Sequence, residues 1–357
     1  MPKRYLTKSR FKLAVECPTK LFYTGKDQVY RNTKKEDSFM ASLAEGGFQV
    51  GKMATMLYPD GIEITEKSNE QALRRTQDLM QASADVVLFE PAFAFGNLLV
   101  RVDILVKRGQ RIELIEVKAK SYNSVNPEIA GTNTPILSGM RPYIEDVAFQ
   151  RYVVSNALPN SDIQCFLMMP DKSVSATVDG LNQCFKIRKL ERSTEVIVSA
   201  GAQDAVSMNA GLLAKVCIDE FVGIVLGNPL RYPGSQEGPQ DRLQDVVTRW
   251  AHAYETDEKI PPTLTKVCTG CEFRDHRQID LKSGYHECLS EAAGLSFDEV
   301  DCGTVLDLWN YRKKDALLAR QDPLSVVILK QMQHRDAQIV FLGLSQTQFG
   351  HQLFRES

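Results

Sequence analysis

Residues 98–121 of the chain, LLVRVDILVKRGQRIELIEVKAKS, contain two apolar runs on either side of a short polar segment. This pattern predicts a β-hairpin with its turn at residues 107–110. Asp103, Glu116 and Lys118 interrupt the apolar strands, and Glu116 and Lys118 share one face because strand side chains alternate. A carboxylate that is buried without a partner costs several kcal/mol, so the two acids require a cation. The hairpin therefore predicts that Asp103 and Glu116 share a divalent metal ion.

The same three side chains suit the hydrolysis of a phosphodiester bond. A divalent cation polarises the phosphate and lowers the pKa of a bound water, while the lysine steadies or deprotonates the nucleophile. The alternative is a half-buried hairpin with a solvated charged face, in which Glu116 and Lys118 pair by chance. Asp103 argues against that alternative, because aspartate is depleted in strands and is rarely buried without a partner.

An Asp on one strand followed by Glu-x-Lys on the next resembles the core of the PD-(D/E)XK nuclease superfamily, in its RecB-type branch. The segment Glu90–Phe95 (EPAFAF) resembles the strand that opens this core. The resemblance implies an α/β fold with a restriction-endonuclease-like mixed β-sheet flanked by helices and a helical lobe. It also implies a Mg²⁺- or Mn²⁺-dependent deoxyribonuclease, with single-stranded DNA or DNA ends as substrate.

The resemblance also assigns roles to individual residues outside the hairpin. LAEGGFQVGKMA looks like the branch's first helix and makes Glu45 a candidate metal ligand, together with Asp103, Glu116 and the carbonyl of Val117. EDVAFQRYVVSNA resembles its closing helix, in which Gln150 supports the active site. The tyrosine usual four residues later is absent, since Val154 occupies that position, and Tyr152 is a candidate substitute.

The order of the cysteines adds a second resemblance. Cys268 and Cys271 form a C-x₂-C motif, which lets two thiolates reach one metal. Cys17, in TKSRFKLAVECPTKLFY, precedes the hairpin and Cys288 follows the motif. This order is similar to that of the iron–sulfur nucleases, namely the AddB-type helicase–nucleases and the exonucleases of CRISPR adaptation. The resemblance implies a structural 4Fe–4S cluster that joins the N- and C-terminal parts through Cys17, Cys268, Cys271 and Cys288.

The spacing after the motif leaves alternatives open. Sixteen residues separate Cys271 from Cys288, as in a large uncharacterised bacterial family of RecB-like proteins whose N-terminal half this chain resembles. The chain is then either a short member of that family or a portion of a longer one. His276 and His286 keep a zinc site of mixed ligands open, and Cys302 is an alternative fourth ligand. The remaining cysteines lie in apolar segments and are expected to pack in the core: Cys165, Cys184 and Cys217.

Charge is distributed unevenly along the chain. The net charge of −2 does not by itself indicate a nucleic-acid-binding protein, but residues 1–35 carry ten Lys or Arg against two acids. A local basic surface is what contact with phosphates requires. The candidates for DNA binding are Lys3, Arg4, Lys8, Arg10 and Lys12, and a second basic cluster begins at Lys186. The alternative is a merely solvated basic surface.

Several classes of protein do not fit the sequence. No apolar run is long enough to span a bilayer, and the first residues lack a signal-peptide core. A cytoplasmic protein with reduced cysteines is therefore expected. The glycines form no phosphate-binding loop, which argues against an ATPase. The serines, histidines and aspartates do not have the spacing of a catalytic triad, which argues against a hydrolase of that type.

Periodicity predicts helices over 1–58, 69–82, 144–157, 204–226 and 240–256, and strands over 86–95, 98–107, 111–118, 163–169 and 194–198. A polar loop is expected over 121–139.

We expect a nuclease domain over 1–290, with a helical insertion and the cysteine cluster, and a C-terminal extension over 291–357. Two other functions stay open: a nuclease-fold module that binds nucleic acid within a larger complex but has lost its chemistry, and a zinc protein that scaffolds a complex.

Overall fold

The structure is a computed structural model of the 357-residue chain, and it describes residues 3–36, 38–190, 193–275, 280–308 and 311–318. The chain forms two compact units. The first, here called the sheet unit, comprises Met1–Leu13, Asp37–Arg231 and Ser235–Glu258. The second, here called the cysteine unit, comprises Ala14–Glu36, Tyr232–Gly234 and the residues from Lys259 onward. The mixed α/β class expected from the sequence is confirmed.

The strands of the described residues all lie in the sheet unit. They are β1 (Leu6–Thr7), β2 (Ile62–Glu63), β3 (Asp85–Phe89), β4 (Ala92–Phe95), β5 (Leu98–Arg101), β6 (Ile104–Arg108), β7 (Arg111–Val117), β8 (Asp162–Pro170), β9 (Phe185–Leu190), β10 (Ser193–Val198) and β11 (Leu213–Cys217). A six-stranded mixed sheet has the order β11-β8-β7-β6-β3-β2, with β7 parallel to β8 and antiparallel to β6. A three-stranded sheet has the order β1-β5-β4, and β9 pairs with β10.

The helices of the described residues are α1 (Lys8–Glu16), α2 (Lys20–Tyr23), α3 (Ser38–Met56), α4 (Asn69–Ala82), α5 (Arg141–Ala157), α6 (Ala202–Met208), α7 (Asp219–Gly227), α8 (Leu243–Thr256), α9 (Gly284–Ala293), α10 (Phe297–Cys302) and α11 (Lys314–Leu318). The predicted helices at 69–82, 144–157 and 240–256 are confirmed within a few residues, and α4 begins and ends at the predicted residues. Within the described ranges, none of the helices combines the length and the apolar character that crossing a lipid bilayer requires.

The predicted hairpin is confirmed as β6 and β7. Arg108 pairs with Arg111, so the turn has two residues, and Gly109 adopts a positive φ of 58° there. The prediction of one continuous strand over 98–107 is wrong, however. The chain leaves β5 at Val102 and Asp103 and enters a different sheet at β6. Asp103 is therefore at the end of a strand, where its carboxylate is not confined to a sheet face.

The predicted strand over 86–95 is also divided. Glu90 has a φ of 56° and Pro91 lacks the N–H that a ladder needs, so β3 ends at Phe89 and β4 begins at Ala92. The N-terminal helical prediction fails at β1, which pairs in parallel with β5. The region 121–139 forms no helix or named strand, as predicted.

The predicted helix over 204–226 is wrong in its middle. It consists of α6 and α7 separated by β11, which pairs antiparallel with β8 at the edge of the six-stranded sheet. An edge strand with one apolar face resembles part of an amphipathic helix when it is only five residues long. The sequence prediction also missed β9, because the basic residues from Lys186 concealed its pairing with β10.

Each unit has its own core. In the sheet unit, Met53 and Ala54 of α3 pack with Val87, Ile104 and Ile115. On α5, Phe149 stacks on Phe11 of α1 with ring centroids 4.5 Å apart, and the ring of Trp250 lies 6.2 Å from that of Phe11. These contacts hold α1, α3 and α5 around the β6–β7 hairpin.

The cysteine unit has two core clusters among the described residues. One contains Tyr23, Tyr30 and Phe273, and the other contains buried residues between Tyr285 and Leu306 together with Leu318. Side chains on both sides of residue 290 contribute to this second cluster, for example Leu289 and Leu295. Whether residues 291–357 make up a separate extension stays a prediction.

Candidate functional site

A cleft of about 1200 Å³ opens in the sheet unit. It is lined by residues of α1, α3 and α5, by the ends of the strands around the hairpin, and by three consecutive residues of β10. Three of the predicted catalytic residues line it, namely Asp103, Glu116 and Lys118. The cleft is therefore the candidate active site.

The two hairpin carboxylates lie on either side of one cationic group. Lys8 Nζ is 3.1 Å from Asp103 Oδ1 and 3.0 Å from Glu116 Oε2. The backbone N–H of Val117 donates to Asp103 Oδ2 at 2.8 Å and so fixes that carboxylate. Glu116 is only 1 % exposed. The two acids can thus share a cation, and in this structure that cation is an ammonium group contributed by α1.

Helix α5 supplies the second layer of the site. Lys118 donates to Glu116 Oε1 and, at 2.9 Å, to Asp146 Oδ2. Gln150 Nε2 donates to Glu116 Oε2 at 2.8 Å. Asp146 and Gln150 are four residues apart and so lie on the same face of α5, and both are buried. The structure therefore places Gln150 beside Glu116, and its role in supporting an active site stays a prediction.

Sequence reasoning did not identify Lys8 or Asp146 as members of this site. Lys8 was expected to bind nucleic acid, since nothing in its local sequence separates it from the other N-terminal basic residues. Asp146 had a detectable signal, because it lies one helical turn before Gln150 in a segment of α5 that is otherwise largely apolar.

The charges of the site shift the pKa values of its carboxyls in opposite directions. Although burial opposes the charged form, the ammonium groups of Lys8 and Lys118 lower the pKa of Glu116 to about 2. Burial and the charge of Glu116 raise the pKa of Asp146 to about 6. Burial and Glu116 likewise raise the pKa of Asp103. Glu116 is therefore the firmly ionised acid at the centre of the site.

The structure gives less information on the other two predicted metal ligands, Glu45 and the carbonyl of Val117. Glu45 belongs to α3, but its side chain lies outside the part of the structure that is described. Val117 lines the cleft next to Glu116. In the described ranges, no three Cys, His, Asp or Glu side chains are grouped so that they would hold a metal ion as they stand.

Of the five N-terminal basic residues predicted to bind DNA, Lys8 and Lys12 line the cleft. The other three have partners elsewhere in the sheet unit, namely Lys3 with the carbonyl oxygen of Gly96, and Arg4 and Arg10 with the ring of Tyr254. Contact of this group with nucleic acid stays a prediction, and Lys12 is its member best placed to reach a ligand in the cleft.

In the cysteine unit, one cavity is lined by the four cysteines that were predicted as cluster ligands. Cys17 follows α1, Cys268 and Cys271 lie at a 3₁₀ turn, and Cys288 belongs to α9. All four are free thiols. Burial raises the pKa values of Cys271 and Cys288 to about 12, and the hydroxyl of Tyr23 lies 3.4 Å from Cys288 Sγ.

A buried lysine accompanies this cavity, and sequence reasoning did not identify it. Lys20 lines the cavity and is almost completely buried. Its Nζ donates to Glu16 Oε1 at 2.7 Å and forms an ion pair with the buried Glu272. The cavity is thus lined by four thiols and one ammonium group that has two carboxylate partners.

The alternative ligands have other positions. The ring of His286 is buried and bonded to Ser283 Oγ at 2.6 Å and Asp301 Oδ1 at 3.0 Å. His276 lies outside the described residues. Cys302 is exposed and does not line the cavity.

Of the cysteines expected to pack, Cys165 is buried and Cys184 is half-buried beside the core of the sheet unit. Cys217 is exposed, so the packing prediction is wrong for it. It is the last residue of β11, where side chains alternate between the core and solvent.

The chain was also compared with known proteins, and neither a protein-family model, nor a curated protein, nor a solved structure matches it.

Proposed function

We propose that the protein is a metal-dependent nuclease with a restriction-endonuclease-like core, which hydrolyses phosphodiester bonds in DNA. The observation that carries the proposal is the convergence of Asp103 and Glu116 on one cation position, with Lys118 beside them. The mixed sheet, with β6 and β7 antiparallel and β8 added in parallel, supports the proposed core.

The donor set fits a divalent metal. Asp103 and Glu116 offer carboxylate oxygens, the ligands that Mg²⁺ and Mn²⁺ prefer, and they already hold a cation between them. The side chain of Glu45 and the carbonyl of Val117 would complete the set. A metal held by these residues would supply a positive charge that polarises the phosphate and activates a water as the nucleophile.

The charge of the cleft supports a requirement for a cation. Six acidic residues line it against four lysines, Lys8, Lys12, Lys52 and Lys118, among the described residues. A divalent cation bound between the carboxylates would offset their charge where a phosphate approaches. Metal dependence is therefore expected for the binding of DNA as well as for its cleavage.

The protein's own residues then hold the reacting groups in position. Lys118 is held by Glu116 and Asp146 on either side, so its ammonium group can orient a nucleophilic water. Gln150 fixes the carboxylate of Glu116, and the N–H of Val117 fixes that of Asp103. These bonds reduce the reorganisation that would otherwise be needed when the phosphate is attacked.

We further propose that Cys17, Cys268, Cys271 and Cys288 hold a structural 4Fe–4S cluster. The proposal is supported by the four free thiols that line one cavity, since thiolates are the ligands that hold iron–sulfur clusters. A cluster there would cross-link residue 17 to residues 268–288. Zinc is the alternative occupant of the same four thiolates.

The test of the nuclease is cleavage of end-labelled single- and double-stranded DNA with Mg²⁺ or Mn²⁺. The wild-type protein should cut, and both chelation and Lys118→Ala should abolish cutting. Lys120→Ala is the matched control, because Lys120 lies two residues further on and does not line the cleft. Normal cleavage by the Lys118→Ala protein would exclude this site. Binding of DNA without any cleavage would instead favour a nuclease-fold module that has lost its chemistry.

A further inference from the structure

One face of α3 forms a wall of the cleft and carries an unusual combination of residues. Phe48 and Lys52, four residues apart, both line the cleft, as do Gly47 and Gly51. Phe48 is 43 % exposed, which makes it one of the few large apolar side chains that are open to solvent among the described residues. An aromatic ring is thus accessible inside a cleft that is otherwise rich in charged groups.

The glycines on this face are not required by protein packing. A Cβ atom added at Gly47 or Gly51 would meet no other atom within 4 Å. Each glycine in a helix interior costs roughly 1 kcal/mol relative to alanine. What the two glycines provide is free space on both sides of Phe48 along the helix, so that a flat group can approach the ring closely.

Two further lysines line the same cleft and are available to a ligand. Lys8 and Lys118 have carboxylate partners in the floor of the cleft. The ammonium groups of Lys12 on α1 and Lys52 on α3, by contrast, make no ion pair with any described residue. The cleft therefore combines an exposed ring with two lysines that have no ion-pair partner among the described residues.

We propose that Phe48 is a stacking platform for an unpaired base, with Lys12 and Lys52 binding the adjoining phosphates, so that the cleft takes a single nucleic-acid strand. The inference rests on the proposed function and assigns three residues of the same cleft to the binding of its substrate. Stacking requires an accessible base face, which the neighbours in a duplex cover, whereas a single strand offers one at every nucleotide. The volume of about 1200 Å³ exceeds that of a typical small-molecule pocket and leaves room for a strand of more than one nucleotide.

The test is fluorescence anisotropy of the full-length protein with fluorescein-labelled single strands in Mg²⁺, with Lys118→Ala introduced into every protein to prevent cleavage. Phe48→Ala should lose roughly 5- to 150-fold in affinity for a thymidine strand, the value of one stacked base. Phe48→Tyr should retain the affinity. The protein that retains Phe48 should bind an abasic strand weakly, with the affinity that the Phe48→Ala variant has for the thymidine strand. A blunt duplex should bind to both proteins with equal affinity.

Phe95→Ala is the matched control, because Phe95 is exposed to a similar extent, 40 %, and does not line the cleft. Equal affinity for the thymidine strand with and without the Phe48→Ala substitution would overturn the proposal, as would an equal loss for strand and duplex, or an absence of strand binding. The two proposals fail separately. Cleavage without dependence on Phe48 removes the platform alone, whereas Phe48-dependent binding without wild-type cleavage removes the nuclease alone.

Discussion

A buried carboxyl on α5 allows a prediction of stability against pH. Glu145 is 5 % exposed, and Arg141 Nη1 lies 3.5 Å from its Oε1, a long contact for an ion pair. Burial raises the pKa of Glu145 from 4.5 to about 7, and Arg141 offsets only part of this effect. The folded protein therefore holds a proton at this position across a pH range in which the unfolded chain has released it.

The direction and size of the effect follow from this difference. Well below pH 4.5 Glu145 is protonated in the folded and in the unfolded protein, so it does not lower the free energy of unfolding. As the pH rises towards 7 the folded state loses stability relative to the unfolded state, because it binds more protons. The difference between 4.5 and about 7 corresponds to about 3 kcal/mol once both states are ionised, at 1.36 kcal/mol for each pH unit. Glu145→Gln should therefore leave the free energy of unfolding almost unchanged near pH 4.5 and raise it by up to about 3 kcal/mol at pH 8.

The measurement is urea unfolding of the wild type and the variant at several pH values. Glu128→Gln is the control, since Glu128 is exposed and its substitution should change the midpoint little at any pH. If the gain from Glu145→Gln is the same at pH 4.5 and at pH 8, the burial of Glu145 is not the origin of its effect and the reasoning is refuted.

Two further predictions concern the cysteine unit. Cys17→Ser should lose iron and stability, because closing the long loop to residue 268 constrains the unfolded chain by a few kcal/mol. Cys165→Ser should keep its iron, and metal analysis that finds stoichiometric zinc in the wild type would replace the cluster by a zinc site. Lys20→Met should destabilise the protein by about 3–5 kcal/mol, because it leaves the buried Glu272 without its closest cation. Adding Glu272→Gln should restore most of this loss in urea unfolding, and a double variant no more stable than Lys20→Met alone would contradict the reasoning.

The sequence was sufficient for the parts of the site that lie close together along the chain. Alternating apolar residues and a glycine turn predicted the β6–β7 hairpin, and the chemistry of buried carboxylates predicted that Asp103 and Glu116 would need a cation. The strand break at Asp103 was not predictable from the pattern, because the residues on both sides are apolar whether they belong to one sheet or two.

The cation between the carboxylates was beyond what the sequence could supply. Lys8 is 95 residues from Asp103 and 108 from Glu116, and periodicity carries no information on contacts at such separations. β11 shows the same limit. Its conformation depends on its pairing with β8, and a segment of five residues with one apolar face fits a strand and a helix equally well.

The position of Lys8 turns metal binding into an exchange reaction. An ion that enters between Asp103 and Glu116 has to displace an ammonium group that already contacts both carboxylates at 3.0–3.1 Å. The net binding free energy of the metal is then the difference between the metal–carboxylate and the lysine–carboxylate interactions. Any interaction of the released Lys8 with a phosphate in the cleft adds to it. A substrate whose phosphate binds the ammonium group of Lys8 would therefore strengthen metal binding. By linkage, the metal would strengthen substrate binding to the same extent.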